Sequence, residues 1–136
     1  MKPVFVDTSG WFAAIARRDR DHPAASSFLK HWDGRLVTTD YVLDETLTLI
    51  QARIDHGTAV AFLDRIERSH RLDLIFVAQQ DYDNARELFR ARDDKQWSFT
   101  DCTSFTVMTR LHLRHALAFD EHFLQAGFMP AATPPH

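Results

Sequence analysis

The chain is short of cysteine, of long apolar runs and of net positive charge, and each shortage removes a class of protein. A single cysteine, Cys102, excludes an internal disulfide and fits a reducing compartment. No apolar run approaches the roughly 18 residues of a membrane span, and Met1-Lys2-Pro3-Val4 leads into a strand instead of a signal peptide. A soluble, cytoplasmic protein with no membrane partner is therefore expected. The formal net charge is -3, so no global basic field announces nucleic acid, although such an average can hide an acidic pocket beside a basic rim. Repeats and internal linkers are also missing.

What remains is a chain of 136 residues, 45% hydrophobic, long enough to bury a core as one domain over residues 1–136. Its last stretch, residues 129–136, holds three prolines and reads as a loose tail. Arginine greatly outnumbers lysine and falls in groups: Arg17, Arg18 and Arg20, then Arg86, Arg90 and Arg92, then Arg110 and Arg114. Guanidinium groups suit bidentate phosphate contact, while solvated helix faces are the bland account of any one of them.

Val4-Phe5-Val6 is a short buried strand running into Asp7. Thr8 or Ser9 can cap the apolar helix that follows, which puts Asp7 at a strand-to-helix turn, where open α/β sheets bind ligands. Further on, apolar spacing predicts helices from Pro23 to Asp33-Gly34, from Tyr41 to about Ile54 with an apolar stripe from Val42 to Ile54, from Ala59 to about Ser69 with Val60, Leu63 and Ile66 on one side, and from Asp81 to Arg92. Thr39 or Asp40 can cap the second of these, and His56-Gly57 breaks that helix. Strands are expected at Leu36–Thr38, Leu72–Val77 and Ala116–Phe119, the last ending in Asp120. Between Trp97 and Thr109 the only charge is Asp101, third residue of a helix capped by Ser98. Alternating strands and helices predict a three-layer α/β/α sandwich around a parallel sheet.

Four acids are singled out by where they fall. Asp7 and Asp120 end strands, while Glu45 and Asp101 lie near the starts of helices; in such a sandwich those ends share one edge. Successive side chains on a helix point about 100° apart, so Glu45 borders the buried stripe of its helix and Asp44 faces water. Asp101 lines up with Phe105 and Met108. No lysine or arginine is close in sequence to Asp7, Glu45 or Asp120 on the same face, and an uncompensated acid cluster suits a hard divalent cation such as Mg²⁺. The dull alternatives are caps for Asp7 and Asp101, a solvated Glu45 and a turn at Asp120.

Four pieces carry a likeness to a known family: Val4-Phe5-Val6-Asp7-Thr8-Ser9, Val42-Leu43-Asp44-Glu45, Trp97-Ser98-Phe99-Thr100-Asp101-Cys102, and Phe119-Asp120-Glu121-His122-Phe123 with Gly127-Phe128 behind it. In this order and spacing the chain resembles a PIN-domain ribonuclease, most closely the VapC-type toxins of bacterial toxin-antitoxin pairs. The resemblance implies a parallel sheet of about five short strands and an acidic site that binds Mg²⁺ or Mn²⁺ and hydrolyses RNA. It implies Asp7 and Asp101 as principal metal ligands, Glu45 as a third acid holding metal or water, and Asp120 as a supporting fourth. Thr8, Ser9 and Thr100 match polar, substrate-side positions. A homodimer and a cognate antitoxin are the partners implied beside RNA.

Other readings stand next to this one. A PIN-like module that binds RNA or protein without cutting, or an RNA-processing nuclease outside a toxin-antitoxin pair, would use the same fold. Haloacid-dehalogenase-like phosphatases need a second Asp two residues after the first, where this chain has Ser9. A zinc site from His112, His115 and His122 is arithmetically possible, yet lacks tight four-ligand spacing; surface histidines are the default. Trp11 and Trp97 can stack a base, though core packing is the simpler use.

Overall fold

The computed structural model describes residues 2–132. The chain enters as β1 (Val4–Val6), three apolar residues all buried, and turns at once into α1 (Thr8–Ile15) and α2 (His22–His31). There follow β2 (Leu36–Thr39), α3 (Asp40–Arg53), α4 (His56–Arg68), β3 (Leu72–Ile75) and α5 (Gln79–Ala91). The last part holds α6 (Phe99–Arg110), β4 (His115–Leu117), α7 (His122–Gln125) and β5 (Met129–Pro130). Among the described residues no helix is long and apolar enough to cross a membrane.

The five strands form one parallel sheet in the order β3-β2-β1-β4-β5, flanked by the helices. Val4 pairs with Leu36 on one side of β1, and Phe5 with Ala116 on the other. The chain winds outward from β1 through β2 to β3, then returns to add β4 and β5 on the opposite flank. Strand order therefore reverses between β1 and β4, and the carboxyl ends of those two strands open onto the crevice where α/β sheets take ligands.

An aromatic run packs this edge. Phe123 of α7 lies 4.9 Å from Phe105 of α6 and 6.1 Å from Phe5 of β1, between ring centroids, and Phe105 also packs on Trp97 at 5.0 Å. Edge and tilted contacts of this kind each contribute about 0.5–1.5 kcal/mol beyond area burial. Trp11 and Trp97 are core residues: Trp97 donates Nε1–H to Gln125, and Trp11 packs on Phe62 and donates to Thr38. Gly10 lets α1 lie against β4, since a Cβ there would sit 2.3 Å from the Leu117 carbonyl oxygen.

Several local expectations are corrected. Asp7 itself caps α1 by accepting from Ser9 N–H, so neither Thr8 nor Ser9 is the cap. α3 ends at Arg53, ahead of His56-Gly57, but those two residues already open α4, three residues before the expected start at Ala59, because Asp55 accepts from Thr58 N–H and caps it. The buried face of α4 is Ala59, Phe62 and Ile66, with Val60 turned to solvent, and Ile54 is likewise exposed at the end of α3. β4 stops at Leu117, so Asp120 lies in the turn beyond the strand. Met129 and Pro130 are not loose: they form β5, where Met129 N–H donates to Arg114 O, and Pro is tolerated because this is an edge. The rest of that expected tail, residues 133–136, lies outside the described residues.

Candidate active site

The carboxyl end of β1 delivers Asp7 into the crevice. Its backbone N–H donates to Leu117 O, which ties it to β4, and the residue is only 2% exposed. Both donors of Ser9, backbone N–H at 3.2 Å and hydroxyl at 2.8 Å, fall on Asp7 Oδ2. Asp7 Oδ1 is buried and has no hydrogen-bond partner among the described residues. Burial foremost, then the nearby Asp120 and Asp101, push the Asp7 carboxyl up to about 7 against the lowering bonds from Ser9.

α6 begins with a reciprocal cap. Ser98 accepts from Asp101 N–H while Asp101 Oδ2 accepts from Ser98 N–H, both at 3.0 Å, and this fixes Asp101 at the buried head of the helix. Glu45, on the second turn of α3, is half-buried and Asp44 exposed, as the helix geometry requires. Burial raises the pKa of Glu45; the Thr8 hydroxyl pulls it down, and Asp101, Asp120 and Asp44 add to the rise. Asp120 is the most open of the four. Its pKa is raised by partial burial and by Asp101, opposed by His122 and by the backbone N–H groups of His122 and Phe123.

The charges of Asp101 and Asp120 act on both Asp7 and Glu45, which puts the four acids within reach of one another at a single edge. Among the described residues, none of them pairs with a lysine or arginine. The one cation-capable side chain that pairs with them there is His122, whose Nδ1 lies 2.8 Å from Asp101 Oδ2 and 3.9 Å from Asp120 Oδ2. Donor atoms of Asp101, Asp120 and His122 all lie within 4.8 Å of one another. His112 and His115 are exposed and do not join them, so the three-histidine zinc arrangement does not form. Sequence reasoning missed His122 as part of the acidic site, although it stands two residues after Asp120.

The polar neighbours also make bonds within the fold. Thr8 is buried, with its hydroxyl 3.2 Å from that of Thr46. The Ser9 hydroxyl also accepts from Phe119 N–H, and the Thr100 carbonyl accepts from the Thr103 hydroxyl. Arg86 and Arg90 pair with Asp83 and Glu87 on α5, Arg92 pairs with Asp94 just beyond it, and Arg110 holds the buried Asp81. Arg17 and Arg18, by contrast, meet Arg53 and Arg65 along one open cleft of about 1000 Å³.

An all-parallel sheet with this strand order carries its acids at the switch point, where open α/β folds bind ligands. Residues 4–129 match the family described as the PIN domain, and the chain belongs to that family. Within it the likeness runs to VapC-type toxins. The chain is 35% identical over 126 residues to the 23S rRNA-specific endonuclease VapC20 of Mycobacterium tuberculosis, covering 93% of this chain and 95% of that protein. It is 32% identical over 126 residues to a VapC ribonuclease of Archaeoglobus fulgidus, covering 88% of this chain and 78% of that one. The crystal structure of M. tuberculosis VapC20, a sarcin-ricin loop cleaving toxin, superposes with a TM-score of 0.90 at 33% identity, over 96% of this chain and 99% of the other. VapBC2 from Rickettsia felis, bound to a promoter DNA fragment, shares the fold alone, with a TM-score of 0.69 at 12% identity over 95% and 97% of the two chains.

Proposed function

We propose that this protein is a metal-dependent endoribonuclease that hydrolyses RNA phosphodiester bonds as the toxin of a toxin-antitoxin pair. The observation that carries the reading is Asp7 Oδ1, a carboxylate oxygen buried without a donor beside further acids and no paired lysine or arginine among the described residues. An uncompensated carboxylate of this kind is costly unless a cation meets it. The donor set is carboxylate oxygen, which fits Mg²⁺ or Mn²⁺.

Asp7 and Asp101 would hold the ion, with Glu45 holding metal or water and Asp120 in support. Bound there, a divalent cation supplies Lewis-acid polarisation of the phosphoryl group and a water that ionises near neutral pH. The chain's own part is positional. Ser9 and Ser98 pin one oxygen of Asp7 and of Asp101, and Glu45, with its raised pKa, is suited to take a proton from the attacking water. Thr8, Ser9 and Thr100 remain candidates for the substrate side of the pocket. Arg17, Arg18, Arg53 and Arg65 offer phosphate contacts outside it.

The name of the M. tuberculosis relative makes 23S rRNA the first substrate to try. A cognate antitoxin, a homodimer and a cytoplasmic site of action complete the proposal. Purified protein is to be incubated with ribosomal RNA in Mg²⁺, in Mn²⁺ and in EDTA, beside Asp7→Asn and Asp101→Asn. The expected result is discrete cleavage that needs metal and is abolished in both variants while they remain folded. Cleavage indifferent to EDTA and to both substitutions would sink the reading.

A further inference from the structure

The histidine at the edge of the acid cluster is not a free surface residue. His122 opens α7, and the next residue, Phe123, is locked between Phe5 and Phe105 in the core. Gln125, on the same short helix, accepts from Trp97 Nε1 at 3.0 Å. The ring is thus carried on an anchored element, with a side chain only 25% exposed.

From that position it touches two acids at once. Its backbone N–H donates to Asp120 Oδ1 at 3.1 Å, and its Nδ1 lies 2.8 Å from Asp101 Oδ2. An ionised carboxylate only accepts, so Nδ1 carries the proton. Asp101 Oδ2 therefore receives two donors, Ser98 N–H and His122 Nδ1–H, and Oδ1 makes no hydrogen bond among the described residues. Asp7 shows the same division: Ser9 supplies two donors to Oδ2, and Oδ1 is left buried and unmatched. Each of the two buried acids has one oxygen pinned and one open.

We propose that His122 is a positioning residue for a divalent ion: it fixes Asp101 through Nδ1 and Asp120 through its backbone N–H, so that their free oxygens face the same ion as Asp7 Oδ1. The proposal rests on the metal reading above and adds a residue to it. An outer partner of this type holds a ligand's orientation, and its loss typically weakens metal binding about 10–100-fold. Since the work is done by an Nδ1–H, an amide nitrogen placed at the same reach can replace it.

The test is calorimetric titration of Mn²⁺ into the full metal-free chain, with thermal melts in EDTA to establish folding, for wild type, Asp7→Asn, His122→Phe, His122→Asn and His122→Gln. Wild type binds and Asp7→Asn does not, if the metal reading holds. His122→Phe then binds about 10–100-fold more weakly, and His122→Asn, whose amide reaches the Nδ1 position, recovers most of the loss. His122→Gln, whose amide reaches the Nε2 position instead, stays weak, and this arm decides if His122→Phe fails to fold. Wild-type affinity in His122→Phe or His122→Gln overturns the positioning role while leaving the metal site standing. Equal weakness in His122→Asn and His122→Phe overturns it in favour of the ring as a direct ligand. Absence of Mn²⁺ binding to wild type removes both.

Discussion

The backbone N–H of Phe119 donates to the hydroxyl of Ser9 at 3.0 Å, joining positions 110 apart in the chain. That hydroxyl in turn donates to Asp7 Oδ2, so one serine ties the turn after β1 to the turn after β4. Ser9→Ala would strand the Phe119 N–H and remove one of the bonds that lower the Asp7 pKa. A stability loss of about 1–2 kcal/mol is expected in urea unfolding. The pH at which activity reaches half its maximum should also move upward, because Asp7 then ionises less readily. An unmoved profile would separate Ser9 from Asp7.

Asp7 makes the metal-free fold sensitive to alkali. Its carboxyl titrates near 3.8 in an unfolded chain and is pushed up to about 7 here, by burial first and then by Asp120 and Asp101. Between those values the folded state holds a proton that the unfolded state has released. The stabilising contribution is thus complete below pH 3.8 and lost as pH rises through about 7. In EDTA, wild type should weaken between pH 5 and pH 8 relative to Asp7→Asn, by about 2–3 kcal/mol. Millimolar Mn²⁺ at pH 8 should restore wild type and leave Asp7→Asn unchanged. Parallel curves for the two proteins would mean that Asp7 ionises in its ordinary range.

Gly10 and Gly127 predict losses of different size and cause for the same change. A Cβ at Gly10 would meet Leu117 O at 2.3 Å and Leu117 Cγ at 2.9 Å, so Gly10→Ala must push α1 away from β4. About 2–3 kcal/mol of stability should go, and cleavage with it, since Asp7 and Asp120 are carried on the two parts being separated. Gly127 has φ +96°, and a methyl group added there would find nothing within 4 Å, so Gly127→Ala meets only backbone strain, about 1 kcal/mol. Thermal melts of the two variants check the order.

Arg110 tests stability apart from chemistry. Its guanidinium holds Asp81 through two bonds, at 2.8 and 2.9 Å, and Asp81 is buried. Arg110→Ala leaves that carboxylate only the Ala78 N–H and should cost about 2 kcal/mol, less than for a fully buried pair because the guanidinium is half exposed. Arg110 lies nine residues beyond Asp101, about 14 Å along α6, so cleavage per folded molecule should stay unchanged. The Arg110 bonds, and after them the Ala78 N–H, hold the Asp81 pKa below its usual value. The advantage of wild type is therefore full above the ordinary carboxylate range and fades as pH falls through the lowered one.

Much of this site was legible because local geometry positions it. Ser98 and Asp101 stand three apart before an apolar stripe, and that spacing alone dictates the reciprocal cap seen in α6. Glu45 differs from Asp44 by one helical step, which decides which of them is covered. The features that escaped depend on contacts between distant parts. His122 matters through Asp101, 21 residues earlier, and looked like any surface histidine. β5 is two residues with a proline, too short for a periodic signal, and exists because β4 offers it an edge. On α4, Val60 and Phe62 both suit an apolar face, and only packing against Trp11 selects Phe62.

The central place of β1 has a consequence for synthesis. Its far-side neighbour β4 is translated more than a hundred residues after it. A nascent or prematurely ended product can present Asp7 and Glu45, yet it lacks the strand that seats the first and the histidine that steadies Asp101. The acid cluster is therefore assembled only after β4 and α7 have joined the sheet that β1 began.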